Sequence, residues 1–394
     1  MATAHFDRSV LLPFSLKFTH SLRLLPGSIV RFMEPHVTLD NLRRYAVARS
    51  LFPPTTLQRA MARLGFVQAD PIRAPARAQD LTLRHRVKDY HAGDLERRYA
   101  RLDIEEDFFV NYGFIPSATH ALLHPRAALT TWKKLRLSQA KSVLEFVRSR
   151  GVVHPRDVDA EFSHGKVTNW FGGSSNASTQ LLDAMHYRGL LRIAKREGGI
   201  RMYSAREPCD PPTDVAAAMD TLVNVIVQKY APLPERSLAE LINRLQFGVP
   251  QWINERRAAF LRAKSRIPNA TVDGQRWYWP DGENPRSSRH RVNDVVRFLA
   301  PFDPVVWDRR RFESFWGWAY RFEAYTPAPK RVRGYYALPL LWRDQVIGWG
   351  NLSVREGVLD ADVGYVTAAA PVGNSFRDAL DAELERVRRF LALS

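Results

Sequence analysis

The sequence predicts an α+β protein in which tandem winged-helix (helix-turn-helix) domains precede a C-terminal β-barrel. Residues 141–206 have the pattern of three helices followed by a β-hairpin with glycines in its turn. Residues 214–290 have the same pattern of elements, although the residues themselves are not identical. From residue 291 onwards, short strand-like runs replace the helical periodicity, as in a small barrel. A chain of 394 residues has room for all of these domains.

Residues 1–36 differ in composition from the rest of the chain. Their only acidic residues are Asp7 and Glu34, and the apolar run around Pro13 is too short and too interrupted for a secretory signal. We therefore expect either a disordered leader or a start site assigned too far upstream. The globular pattern begins near Val37.

Residues 37–140 are predicted to form an α-rich, winged-helix-like unit that contains one short strand. Leu57 and Leu64 lie two helical turns apart, and Gly65 suits the position just after a helix end. The apolar run that follows is predicted to be a strand, which Pro71 terminates.

Gln68 and Asp70 stand two residues apart in that predicted strand. Because alternate side chains of a strand share a face, the amide and the carboxylate should point the same way. A carboxylate beside an amide can hold and activate a water molecule. The alternative is structural: Asp70 caps a turn before Pro71.

Capping residues and glycines define the elements of the segment 141–206. Asn176 is a good N-cap for a third helix, Gly189 ends that helix, and Gly198-Gly199 suit a turn that needs positive φ. The predicted elements are helices at about 141–149, after His154 and after Asn176, then strands at 190–194 and 200–203. In this fold one helix enters a DNA groove and the hairpin rests on the backbone.

The remaining segments are interpreted in the same way after a proline-rich linker at 208–213. In the segment 214–290 the predicted elements are helices near 214–230, 235–246 and 251–264 and a hairpin centred on Asp273-Gly274. In the segment 291–394 they are strands at 295–300, 315–325, 332–342, 345–354 and 362–368 and a helix at 374–391.

Composition points to a nucleic-acid partner. The 58 Lys and Arg against 41 Asp and Glu give a formal charge of +17, which in a folded protein indicates a polyanionic ligand. Cys209 is the only cysteine, so there is neither a disulfide framework nor a thiolate metal site. No apolar run approaches the length of a membrane span. We expect a cytoplasmic, nucleoid-associated protein without a membrane partner.

Motifs for metals and cofactors are missing from the sequence. The histidines show no HExxH or Cys/His spacing, and there is no Walker A loop, dinucleotide fingerprint or G-x-S-x-G elbow. We therefore expect neither a metal nor a cofactor.

Two clusters of basic and aromatic residues, at 164–170 and at 307–336, are candidates for DNA contacts. Arg and Lys on turns suit phosphates, and a flanking aromatic ring can stack on a base. The alternative is a solvated basic surface above core aromatics. The candidate DNA-binding residues are Arg73, Lys166, Asn169, Trp170, Arg309, Arg310, Arg311, Lys330, Arg331 and Tyr335.

The stretches Leu299–Arg311, Tyr320–Arg331 and Gly334–Pro339 closely resemble the winged-helix DNA glycosylases of the AlkZ and AlkX (YcaQ) family. The resemblance runs from about 37 to 392, and its block at 299–342 is the most specific part. The family's catalytic signature, Gln, an apolar residue, then Gln or Asp, falls on Gln68, Ala69 and Asp70 in its AlkX-like form.

This resemblance implies a DNA glycosylase that excises alkylated purines from double-stranded DNA and, in its AlkX branch, unhooks interstrand crosslinks. Asp70 would stabilise the sugar cation and take a proton from water, and Gln68 would orient that water. No lysine stands at the motif, so hydrolysis is expected rather than a Schiff-base lyase reaction. We expect a monomer. The alternative is a non-catalytic winged-helix DNA-binding protein or transcription regulator, which explains the charge but not the Gln68/Asp70 pair.

Overall fold

A computed structural model describes residues 36–128, 130–162, 165–168, 174–367 and 369–393. The expected leader lies, except for its last residue, outside this range, as do Asn169 and Trp170. Residues 37–394 form one compact unit. The domain boundaries drawn within it from the sequence stay predictions.

The first segment is a helical layer around a small antiparallel sheet. Its elements are α1 (Leu39–Ser50), α2 (Leu57–Leu64), β1 (Val67–Gln68), α3 (Ala78–Leu83), α4 (Asp94–Arg98), β2 (Ile104–Phe108), β3 (Tyr112–Pro116) and α5 (Ser117–Ala121). Thr56 caps α2 at its start, and Gly65, in the left-handed conformation, ends it as predicted. The strand order is β1-β3-β2, so β1 is an edge strand beside β3.

The second segment places two helices and a hairpin against a long first helix. Its elements are α6 (Lys134–Arg150), β4 (Val152–Val153), α7 (Pro155–Phe162), β5 (Lys166–Thr168), β6 (Ser174–Asn176), α8 (Ala177–Tyr187), β7 (Leu191–Glu197) and β8 (Ile200–Ala205). Helix α6 begins seven residues before the predicted start. Leu135 and Leu137 in its first turns are 73% and 53% exposed. Because the first turns bury no apolar face, their sequence lacks the periodicity by which a helix is predicted.

The third segment has the same order of elements as the second, apart from the short hairpin β5–β6. They are α9 (Val215–Tyr230), β9 (Leu233–Pro234), α10 (Glu235–Arg244), α11 (Arg256–Arg266), β10 (Asn269–Val272) and β11 (Gln275–Tyr278). Asp273 and Gly274 join β10 to β11 with φ of +50° and +74°, as a two-residue hairpin requires.

The last segment is an open antiparallel sheet and not a closed barrel. Its elements are β12 (Val296–Phe298), α12 (Arg309–Trp316), β13 (Leu338–Trp342), β14 (Gln345–Arg355), β15 (Val358–Tyr365) and α13 (Asn374–Leu391). Among the described residues the order is β12-β13-β14-β15, with free edges at both ends. The strand predicted at 315–325 is wrong: α12 ends at Gly317, and the aromatic side chains around it pack ring on ring, for example Phe312 against Trp318.

Two hydrophobic cores meet at strand β1. Phe66 is buried in a core built with α1 and α9–α11, whereas Val67 is buried in a core shared with α8 and the C-terminal sheet. The strand is thereby held from both sides, so the residues that follow it are fixed in space. Within the described residues, no helix is both long and apolar enough to cross a bilayer.

Candidate functional site

Strand β1 presents Gln68 at the sheet edge through tight pairing with β3. Gln68 pairs with Gly113, and the Ala69 N–H donates to the Tyr112 carbonyl over 3.0 Å, which extends the pairing past the strand. A Cβ on Gly113 would lie 2.2 Å from the Val67 carbonyl oxygen, so only glycine permits this approach.

Asp70 is buried, with 9% of the residue exposed, and one of its two carboxylate oxygens accepts a hydrogen bond. Its Oδ1 accepts the Ile72 N–H over 2.9 Å, and its own backbone N–H donates to Gln79 Oε1 over 3.3 Å. The turn-capping role considered from the sequence is thus present, but among the described residues it leaves Oδ2 without a hydrogen bond. Burial raises the pKa of Asp70, and the Ile72 hydrogen bond opposes that rise.

Gln68 is 6% exposed and contacts the C-terminal segment. Its Oε1 accepts the indole N–H of Trp307 over 3.1 Å, across 239 positions of sequence. The Trp307 ring lies 4.9 Å from that of Tyr230, and the Arg244 guanidinium lies 5.5 Å from its centroid. The sequence block that carries the family resemblance therefore contacts the residue that carries the family signature.

Asp70 lies beside a cavity and within electrostatic reach of two tyrosines. The cavity, of about 320 Å³, is lined by Asp70, Gln79, Tyr112, Arg77, Arg196 and Arg201. Burial, and after it the charge of Asp70, raise the pKa of Tyr325 and Tyr336. Tyr336 is buried, and in the described part of the chain its hydroxyl has no hydrogen-bond partner. Sequence reasoning missed Trp307 and Tyr336 as site residues, although both lie in the resembling block.

The hairpin β7–β8, predicted to rest on a DNA backbone, is tied to the wall of this cavity. The fully buried Glu106 accepts hydrogen bonds from Arg196, Arg201 and the Tyr112 hydroxyl. Burial alone would raise the pKa of Glu106, but the hydrogen bonds and charge of Arg196, with the charge of Arg201, lower it to about 2. Arg196 and Arg201 of the hairpin therefore neutralise a carboxylate of the protein itself, which leaves their charges unavailable to a DNA phosphate.

Several of the predicted DNA contacts lie on the surface. Arg73 and Lys330 are exposed, and Tyr335 is 44% exposed beneath the Arg331 guanidinium. Arg310 is exposed and pairs with Glu240 at 2.6 Å. Lys166 lies in β5, whereas Asn169 and Trp170 are outside the described residues.

Arg309 and Arg311 are corrections to the prediction. Both lie in the first turn of α12, which Asp308 caps, and not on a turn between strands. Arg311 is completely buried and donates to the carbonyls of Tyr230, Pro232, Pro304 and Val305. Arg309 donates to Val306 and Pro301 and covers the Tyr320 ring at 4.4 Å. Arg311 is thus inaccessible from the surface, and the half-buried Arg309 guanidinium binds carbonyls of its own loop, so neither is placed as the prediction assumed.

A buried charge network that the sequence did not reveal surrounds Asp107. His120, His124 and Arg126 donate to its carboxylate over 2.8–3.0 Å. One ligand atom each of Asp107, His120 and His124 fall within 4.8 Å of one another, the spacing of a metal site. However, Arg126 occupies one carboxylate oxygen and Arg206 lies 3.9 Å from the other, and two guanidinium groups disfavour a divalent cation there. We interpret the cluster as a structural clamp.

Acid is expected to destabilise the protein through this clamp. Burial lowers the pKa of His120 and His186, and that of His124 to about 3, below the usual value near 6.5. Below pH 6.5 these three histidines therefore bind protons in the unfolded chain and stay neutral in the folded chain. Each histidine should then remove up to about 1.4 kcal/mol of unfolding free energy per pH unit.

Urea unfolding between pH 8 and 5 measures this loss. A His124→Asn variant provides the control, since its stability should fall less steeply with acidification than that of the wild type. Equal slopes for the two proteins would show that His124 does not titrate as described.

Residues 61–390 match the family described as DNA glycosylase AlkZ-like. Among solved structures, Streptomyces sahachiroi DNA glycosylase AlkZ is similar, with a TM-score of 0.61 and 13% identity, over 91% of this chain and 98% of that chain. At this identity the structural likeness supports a shared mixed α+β fold and no more.

Proposed function

The chain belongs to the AlkZ-like DNA glycosylase family, and we propose that it is a monofunctional enzyme that hydrolyses the N-glycosidic bond of alkylated purines. We include the unhooking of interstrand crosslinks, because the signature ends in Asp70, the AlkX-like form. The observation that carries this proposal is the state of Asp70. It is a buried carboxylate beside a cavity, with one oxygen anchored by Ile72 and the other without a hydrogen bond among the described residues.

The chemistry follows from the leaving group. Alkylation at N7 or N3 places a positive charge on the purine, so the base leaves without strong acid catalysis. The sugar then passes through an oxocarbenium-like state. The Asp70 carboxylate stabilises that charge and accepts a proton from the attacking water. The raised pKa of Asp70 suits a group that has to take up a proton.

A lysine that contacts the residue just before strand β1 supports hydrolysis over a lyase reaction. Lys229 is buried, donates to the Phe66 carbonyl and lies over the rings of Phe66 and Tyr230. Burial lowers its pKa to about 7, which would make a reachable amine nucleophilic. Lys229 is 2% exposed and its amine is held by the backbone carbonyl that precedes β1, so it is not placed to attack a deoxyribose. Borohydride should therefore trap no covalent complex.

We also propose that the second and third segments are winged helices that embrace duplex DNA as a monomer in the cytoplasm. Each runs helix, strand, two helices and a two-stranded hairpin whose second member pairs with the first strand, in the order β4-β8-β7 in one and β10-β11-β9 in the other. The exposed Arg73, Arg310, Lys330 and Tyr335 are the proposed contacts to the DNA.

Incubation of the protein with defined duplexes tests the enzymatic proposal. One duplex carries a single 7-methylguanine, a second carries an N7-linked guanine crosslink, and the third is unmodified. Mass spectrometry of the freed base and alkaline cleavage at the resulting abasic site report hydrolysis. If the protein binds all three duplexes and releases no base from any, the non-catalytic DNA-binding alternative is correct. Salt dependence of binding is expected under both alternatives and does not separate them.

A further inference from the structure

The hydrogen bond between Trp307 and Gln68 determines which end of the Gln68 amide is available. An indole N–H can only donate, so the atom that faces it at 3.1 Å has to be the amide oxygen. The opposite end, the NH₂ group, makes no hydrogen bond to any described residue. In the enzyme, the amide oxygen of Gln68 thus faces Trp307 and its NH₂ group faces the opposite way.

Trp307 is itself held from several directions. Its backbone N–H donates to the Asp303 carbonyl over 2.8 Å, and Arg86 binds both carboxylate oxygens of Asp303. Tyr230 packs against the ring on one side, and Arg244, which is paired with Glu240, covers it. A side chain fixed in this way can impose an orientation on its partner.

We infer that Trp307 is a positioning residue for base release, which it supports by locking Gln68 as a hydrogen-bond donor. This inference rests on the proposed function. The indole N–H engages the amide oxygen and so fixes the NH₂ on the opposite side, where it donates to the water oxygen or to an oxygen of the sugar, while Asp70 takes up the proton of the attacking water. Without the indole N–H the amide can rotate by 180°, and its oxygen then accepts a hydrogen bond from the water in place of Asp70, which turns the water away from the base.

Trp307→Phe tests the inference, because phenylalanine keeps an aromatic ring and loses the N–H. Single-turnover base release should slow by about 10- to 100-fold, the effect of one lost hydrogen bond, with duplex affinity unchanged within about twofold. The matched control is Trp318→Phe, which removes an indole hydrogen bond to the Val346 carbonyl and should leave the rate unchanged. In a Gln68→Ala background, Trp307→Phe should slow release no further.

A second variant keeps the test decisive if Trp307→Phe folds poorly. Gln68→Glu retains an acceptor for Trp307 and replaces the free NH₂ by oxygen, so it should be as slow as Gln68→Ala. Wild-type rates for Gln68→Glu or for folded Trp307→Phe overturn the inference, as do additive effects of the Trp307 and Gln68 changes. None of these outcomes contradicts the proposed function. The proposed function fails only if the wild-type protein itself releases no base.

Discussion

Asp70→Asn is expected to slow release of an N7-alkylated base by about a thousandfold or more, with duplex affinity unchanged. Asparagine keeps an oxygen to accept the Ile72 N–H, so the turn after β1 should persist. It carries no charge to stabilise an oxocarbenium-like sugar and cannot take up a proton from water. The rate is measured in single turnover, and the affinity by titration of a labelled duplex.

Asp183→Asn is the matched control for this change. Asp183 lines the same cavity but binds Arg201 and Tyr203, and we expect near-normal base release from its variant. If Asp70→Asn retains wild-type activity, the assignment of Asp70 as the base is wrong.

The pH profile gives an independent check on Asp70. Only the deprotonated carboxylate can act, so activity should fall as the pH drops through the pKa of Asp70. Because burial raises that pKa, the fall should come at a higher pH than an exposed aspartate would give. The wild-type profile should show this acid limb, and any residual activity of Asp70→Asn should lack it.

Arg86→Met is expected to lower the unfolding free energy by about 3–5 kcal/mol, because it leaves a buried charge unpaired. Arg86 and Asp303 are both completely inaccessible to solvent, and Arg86 also donates to the carbonyls of Ser50 and Thr82. It therefore joins the first segment to the loop that carries Trp307. Chemical denaturation measures the loss.

Arg97→Met is the control for that prediction. Its guanidinium is 58% exposed and pairs with Asp94 within one helix, so its loss should cost less than about 1 kcal/mol. If both variants lose the same small amount of stability, the Arg86–Asp303 pair does not hold the segments together.

Local sequence patterns predicted most of the secondary structure. Apolar periodicity with Gly65 and Asn176 gave helices close to the observed α2 and α8, and Asp273-Gly274 gave the β10–β11 hairpin in place. These features depend on residues within a few positions of one another, which is why a sequence reveals them. The predicted strand at 315–325 failed because its aromatic residues pack in a cluster without the alternation of a strand.

The candidate site likewise has features that neighbouring residues reveal and features that depend on distant contacts. The order of residues alone was enough to find the Gln68-Ala69-Asp70 signature, the net positive charge and the resemblance that joins them to DNA glycosylases. The folded chain was needed to show that Arg311 is buried, that Glu106 binds the hairpin arginines, and that Trp307 reaches Gln68. A charged or aromatic side chain has the same sequence letter whether it meets solvent or a partner 239 positions away. Burial and long-range hydrogen bonds, which decide its role, exist only once the chain has folded.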